Sequence, residues 1–76
     1  MESLIIILTS ITYVYKARQI LEKNRIKTEI VRLRVTYERR GCGYGLAVPG
    51  AQERRALGLI RDAGIRIVEV IDNSGR

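Results

Sequence analysis

The order of apolar and polar residues predicts a strand and then a helix at the start of the chain. An unbroken apolar run, Leu4 to Leu8, has the length and the branched side chains of a buried strand. Thr9 and Ser10 follow it and are residue types that begin helices. Three apolar residues then recur at helical spacing: Val14, Ala17 and Leu21. We therefore predict a first strand over residues 4–9 and a first helix that ends near Asn24.

Residues 26–35 alternate between apolar and polar side chains, which is the period of a strand with one solvent-exposed face. One side of this second strand carries Val31, Leu33 and Val35. The other side carries Ile30, Arg32 and Arg34. We expect this second side to lie on the open face of the sheet, where a mixed apolar and basic surface would support a weak homodimer.

The second half of the chain repeats the order of elements. Tyr44 to Val48 is a short apolar strand, and Pro49 suits the opening of a helix because its missing backbone donor is not needed there. Gly64 is expected to end this second helix in a left-handed cap, before a last strand over residues 65–71. Four residues are predicted to face inward from the second helix: Ala56, Leu59, Ile60 and Ala63.

Residues 20–26 and 59–65 share one pattern, an apolar helix end, a turn and an isoleucine before a strand. The chain is therefore predicted to contain two βαβ-type units. With right-handed crossovers, they form a ferredoxin-like βαββαβ sandwich of the α+β class, with a four-stranded antiparallel sheet and two helices on one face. Residues 1–76 make a single domain, with a loose tail over residues 72–76.

Composition excludes several kinds of chemistry. The chain of 76 residues has one cysteine and no histidine, so it has neither an internal disulfide nor the usual ligand set for zinc, copper or iron–sulfur clusters. Ser-His-Asp and Cys-His arrangements are excluded for the same reason. We expect a carrier or binding protein without cofactor or metal, rather than a stand-alone enzyme. The apolar start is too short to span a membrane, and an unpaired cysteine suggests the cytoplasm.

The segment around the cysteine is the best candidate for chemistry. Cys42 lies in the sequence Arg39-Arg40-Gly41-Cys42-Gly43-Tyr44-Gly45. Two adjacent positive charges favour the thiolate, and glycine amides can hydrogen-bond an anionic sulfur. Tyr44 could hydrogen-bond a carried atom. The alternatives are a cysteine that acts as a small buried hydrophobe, and glycines that form only a tight turn between two strands.

The whole pattern resembles a known family. A short apolar strand, a Thr-Ser helix start, a basic second strand, and the pair Cys42-Gly43 shortly before Leu46-Ala47-Val48 are similar to the selenium/sulfur (Se/S) carrier protein-like family. The resemblance covers nearly the whole chain. It implies that Cys42 carries a sulfur or selenium atom as a persulfide or selenosulfide, between a donor protein and an acceptor protein.

A net charge of +6 also raises the question of nucleic acid, although basic residues commonly coat solvated helices. RNA-recognition domains have this strand order, and residues 40–44, Arg-Gly-Cys-Gly-Tyr, resemble their third-strand motif. The chain contains no phenylalanine or tryptophan on which bases could stack, so we prefer the carrier to the RNA-binding module. An accessory subunit without chemistry is a third interpretation.

Overall fold

The computed structural model describes residues 3–32 and 44–72, and the fold is given for these ranges. They form four strands and two α-helices, and a short 3₁₀ turn, Gly50–Gln52, leads into the second helix. In chain order the elements are β1 (Ser3–Leu8), α1 (Ile11–Lys23), β2 (Glu29–Arg32), β3 (Tyr44–Pro49), α2 (Glu53–Asp62) and β4 (Ile67–Asp72).

The strands form one sheet in the order β2-β3-β1-β4, and every neighbouring pair is antiparallel. Strand β1 from the first half therefore lies between β3 and β4 from the second half. The Cα atoms extend only 15 Å along the shortest axis, which is the thickness of one sheet and one helix layer. The predicted ferredoxin-like α+β fold is confirmed.

The core lies between the sheet and the two helices. In the register, Ile6 is opposite Leu46 on one side and Val70 on the other, so these side chains share the helix-covered face. Ile6, Leu46 and the α1 residue Leu21 are fully buried. The buried core cluster consists of Leu4, Ile6, Leu8, Val14, Ala17, Leu21, Ile26, Leu46, Val48, Ala56, Ile60 and Ile65.

Both helices end in the same hydrogen-bonded motif. At the end of α1, the amide of Ile26 donates to the carbonyl of Leu21 at 2.9 Å, and the residue between helix and strand, Arg25, has a φ of 63°. At the end of α2, the amide of Ile65 donates to the carbonyl of Ile60 at 3.2 Å, and Gly64 has a φ of 79°. These are Schellman caps, and the repeat seen in the sequence is thus a repeat of structure.

Several expectations need correction. Ala63 is exposed, because it is the cap residue at which α2 has already left the core, and Leu57 packs against the core instead. Pro49 ends β3 rather than opening the helix. Ile30 packs against the helix-side core, so Glu29 and Val31 are the β2 residues that lie on the open face. The antiparallel register decides this, since it places Ile30 opposite the buried Leu46.

Truncating the centre of β1 should destabilise the domain strongly. Ile6 is 0% exposed between two neighbouring strands and the helices, so we expect Ile6→Ala to lower the free energy of unfolding by about 2–5 kcal/mol. Urea denaturation measures this. The matched control is Ile67→Ala, because Ile67 is only partly buried at the start of β4. Equal losses in the two variants would contradict the placement of the core.

The two caps predict stability changes of opposite sign. Arg25→Gly should stabilise the domain by about 0.5–1 kcal/mol, because relief of left-handed strain exceeds the added freedom of the unfolded chain. Gly64→Ala should destabilise it by about 0.5–1 kcal/mol, because left-handed strain exceeds the reduced freedom of the unfolded chain and a Cβ there would meet nothing within 4 Å.

The control for these cap variants is Gly58→Ala inside α2, where a Cβ also meets nothing within 4 Å. It should stabilise the helix by up to about 1 kcal/mol, because alanine is the better helix former. A loss of stability at both glycines would show that steric contact, rather than backbone conformation, controls these positions.

Candidate functional site

Most of the candidate site lies outside the described residues. The structure gives no description of Arg39, Arg40, Gly41, Cys42 and Gly43, and it describes the two remaining candidates, Tyr44 and Gly45. What it defines is the frame to which the cysteine segment is joined.

The two ends of that segment are attached side by side. Arg32 and Tyr44 face each other at the last recorded position of the β2–β3 pair. The edge strand β2 therefore ends, and the interior strand β3 begins, at the same end of the sheet.

The first helix begins at the same end of the sheet. Ile7 is opposite Gly45, and β1 ends one residue later at Leu8, so the chain enters α1 beside the start of β3. Ser10 caps this helix by accepting a hydrogen bond from the amide of Tyr13 at 3.3 Å. The first turn of α1 contains no acidic residue. The positive end of the helix dipole is therefore not offset by a carboxylate of its own first turn.

Tyr44 faces the helices. It alternates along β3 with Gly45 and shares its side with the buried Leu46 and Val48, and it packs against the core at the rim. This orientation removes one support for an RNA-recognition interface, because the stacking aromatics of such domains lie on the open face of the sheet. Gly45 is buried, opposite Ile7 on one side and Val31 on the other.

Arg32 is a basic residue at the attachment of the cysteine segment, and the sequence analysis was wrong to expect it on the open face of the sheet. Its side chain is exposed, on the helix-covered side of the edge strand, directly opposite Tyr44. Register was needed to show that it lies across from Tyr44.

The open face of the sheet differs from the mixed surface that we expected. The aliphatic side chains on it are Ile5, Ile7, Val31, Ala47 and Ile71, and its charged side chains are Glu29 and Glu69. Within the described ranges this face has no aromatic and no basic residue. Ile7 is 0% exposed, whereas Ile5, Val31, Ala47 and Ile71 are partly exposed. That this face supports a homodimer stays a prediction.

A shallow depression of about 580 Å³ lies at the other end of the sheet. Its lining residues are Ser3, Lys27, Thr28, Glu29, Ala47, Val48 and Pro49. Ser3 is opposite Pro49 and Glu29 is opposite Ala47, whereas Tyr44 begins β3 at the far end. The depression is therefore separate from the attachment of the cysteine segment.

Residues 3–32 and 44–72 contain no group of three or more His, Cys, Asp or Glu side chains that could hold a metal ion. In the same ranges no helix has the length and apolar composition needed to cross a membrane.

The structure thus defines a small ferredoxin-like α+β domain whose single cysteine lies in the segment that joins its two βαβ halves. Comparison with known families assigns the chain to one of them. Residues 3–72 match the family described as "Putative Se/S carrier protein-like", so the chain belongs to this family. No curated protein and no solved structure matches the chain significantly.

Proposed function

We propose that this protein is a sulfur or selenium carrier and that Cys42 bears the transferred atom. The observation that carries the proposal is the family match over residues 3–72, in a chain whose only cysteine falls inside the matched range. A carrier of this kind needs one nucleophilic thiol and two successive protein partners, and it needs neither a metal nor a histidine base.

Transfer can proceed by thiol exchange without an added oxidant. The Cys42 thiolate attacks the terminal sulfur of a persulfide on the donor protein, and a new sulfur–sulfur bond forms at Cys42. The donor's sulfur–sulfur bond breaks, and the donor leaves as a thiolate with that bond's electron pair. Attack by an acceptor thiolate on the terminal sulfur of Cys42 repeats the same exchange. A selenium atom in the terminal position would move in the same way, through a selenosulfide.

Positive charge near Cys42 supports this role. Arg39 and Arg40 lie three and two residues before the thiol in sequence. Cys42 is two residues from Tyr44, so chain connectivity keeps their Cα atoms within about 7 Å. The thiol is therefore tethered to the end of the sheet at which Arg32 is exposed and α1 begins. Cations and helix N-termini both stabilise an anionic sulfur.

The glycines around Cys42 suit a handover between proteins. Gly41 and Gly43 have no side chain to block an approaching backbone, and their amides can donate to a terminal sulfur anion. The partners of this proposal are a donor protein and an acceptor protein. The cytoplasm remains the expected compartment.

The first test is loading of the thiol. When the wild type is incubated with a cysteine desulfurase and cysteine, its intact mass should rise by one sulfur atom, and treatment with a reductant should reverse the change. Cys42→Ser should not gain this mass, because a hydroxyl cannot form the persulfide.

The control for Cys42→Ser is its thermal unfolding, which we expect to match that of the wild type because serine is nearly isosteric with cysteine. A wild type that stays unloaded by the desulfurase and by a small-molecule persulfide would contradict the carrier proposal. An accessory subunit without chemistry would then be the better interpretation.

The second test concerns the acidity of the thiol. We expect the pKa of Cys42 to lie below its ordinary value of about 8.5, because Arg39 and Arg40 favour the charged form. Arg39→Ala with Arg40→Ala should raise this pKa and so reduce the thiolate fraction at neutral pH. The pH dependence of alkylation by iodoacetamide measures both values.

The chain offers a matched control for this double variant. Arg54 and Arg55 are a second arginine pair, exposed on α2, and replacing both with alanine removes the same total charge. This control should leave the alkylation midpoint unchanged. A wild-type midpoint at or above about 8.5, or equal shifts in the two double variants, would show that Arg39 and Arg40 do not activate Cys42.

A further inference from the structure

Within the described ranges the basic residues all lie off the open sheet face, although the helices also carry three acidic residues, Glu22, Glu53 and Asp62. In the described ranges, lysines and arginines lie on the helices, on the helix side of β2 or in the turns at the sheet ends. They are Lys16, Arg18, Lys23, Arg25, Lys27, Arg32, Arg54, Arg55, Arg61 and Arg66. The open sheet face carries Glu29 and Glu69 as its charged residues. A negatively charged partner would therefore meet the helices rather than the sheet.

Four of these cations form a regular set on the outside of the helix layer. Lys16 and Lys23 lie on α1, and Arg54 and Arg61 lie on α2; each pair is seven residues apart. Seven residues are almost two helical turns, so the Cα atoms of each pair are separated by about 10 Å on one face of their helix. All four side chains are exposed. We call Lys16, Lys23, Arg54 and Arg61 the cationic helix face.

These four cations are not neutralised inside the described part of the protein. The ion pair recorded there joins Arg18 to Glu22, with 3.2 Å between Nε and Oε2, and it lies beside the set rather than within it. Thr28 donates to the same carboxylate at 3.2 Å. The four side chains of the cationic helix face are therefore available to an external anion.

Two exposed aromatic rings accompany the cations. Tyr13 and Tyr15 are 41% and 54% exposed, the large apolar side chains most open to solvent among the described residues. Each residue turns an α-helix by about 100°, so these rings stand about 200° apart, one on each flank of the stripe that holds Lys16 and Lys23. Exposed rings beside a row of cations are the combination that binds single-stranded nucleic acid.

An anionic membrane fits this surface less well than nucleic acid does. A helix that lies in a membrane interface inserts an apolar stripe, but the apolar stripes of α1 and α2 are already buried against the sheet. Val14, Leu21 and Ile60 are each 0% exposed. The outer surfaces of the helices offer charges and two tyrosines, which suit phosphates and bases.

We propose that the helix layer binds single-stranded nucleic acid without sequence preference. Phosphates contact the cationic helix face, and bases stack on Tyr13 and Tyr15. This surface is distinct from the sheet face that RNA-recognition domains use, and it does not rest on the carrier chemistry of Cys42. The proposal names a second activity for the chain.

The test measures binding of a fluorescently labelled single-stranded oligouridine by anisotropy, over a series of salt concentrations. In the first variant, all four residues of the cationic helix face become glutamine. We expect its affinity to fall at least about tenfold. The slope of log affinity against log salt should lose about 0.7 for each phosphate contact removed. In the second variant, Tyr13→Ala with Tyr15→Ala, affinity should fall by about fivefold or more for each stacked base, and the salt slope should stay unchanged.

The matched control removes the same charge elsewhere, through Arg18→Gln, Arg25→Gln, Lys27→Gln and Arg66→Gln. It should keep the wild-type salt slope and most of the affinity. Circular dichroism melts confirm folding, and the two α1 and two α2 substitutions are also measured as separate pairs. If the variant with all four substitutions does not fold, the two double variants test the proposal instead. Each should then lose a smaller part of the salt slope.

Four outcomes would overturn the proposal. They are an absence of binding by the wild type at low salt, equal losses in the four-fold variant and its control, no effect of the tyrosine variant, and displacement of the RNA by polyglutamate at the same charge concentration. The last outcome would assign the surface to an acidic polypeptide instead. Results in the double variant Arg39→Ala, Arg40→Ala do not bear on this test, because neither residue belongs to the cationic helix face.

Discussion

The interleaving of the two halves in one sheet is the constraint on which the rest of the structure depends. Strand β1 pairs with β3 and β4, and β3 pairs with β1 and β2, so neither βαβ half contains its own continuous sheet. Ile6 and Leu46 meet across the halves and are both fully buried. Because burial of such aliphatic side chains supplies most of the stabilisation of a small domain, the two halves fold as one unit.

This interleaving also fixes where the segment that contains Cys42 is attached to the sheet. The segment that contains Cys42 joins an edge strand to an interior strand, and its two ends, Arg32 and Tyr44, lie opposite each other. The same end of the sheet receives the start of α1, whose first turn has no acidic residue. An anion held at this end of the sheet would meet positive potential from the exposed Arg32 and from the start of the helix.

The two faces of the molecule carry different chemistry because the helices cover only one of them. Basic side chains can extend into solvent from the outer surfaces of α1 and α2, whereas the open sheet face is aliphatic with carboxylates on its edge strands. Any partner that recognises charge will therefore distinguish the faces. Arg25 adopts a left-handed backbone conformation that is strained for a residue with a side chain. The second half of the chain avoids this strain because Gly64 holds the equivalent position.

The order of elements, the repeat and the left-handed cap at Gly64 followed from the sequence, because apolar periodicity, cap residues and glycine act over a few neighbouring residues. The resemblance to the family was also visible in the sequence alone, since it rests on Cys42-Gly43 and the strand after it. The faces of Ile30 and Tyr44 were decided by the tertiary structure, because alternation along a strand separates two sides without saying which one the helices cover. The pairing of Ile30 with Leu46, and the packing of Ile30 and Tyr44 against the core, assigned both residues to the helix-covered face. For the same reason the position of Arg32 opposite Tyr44 and the placement of the described basic residues off the open sheet face required the fold.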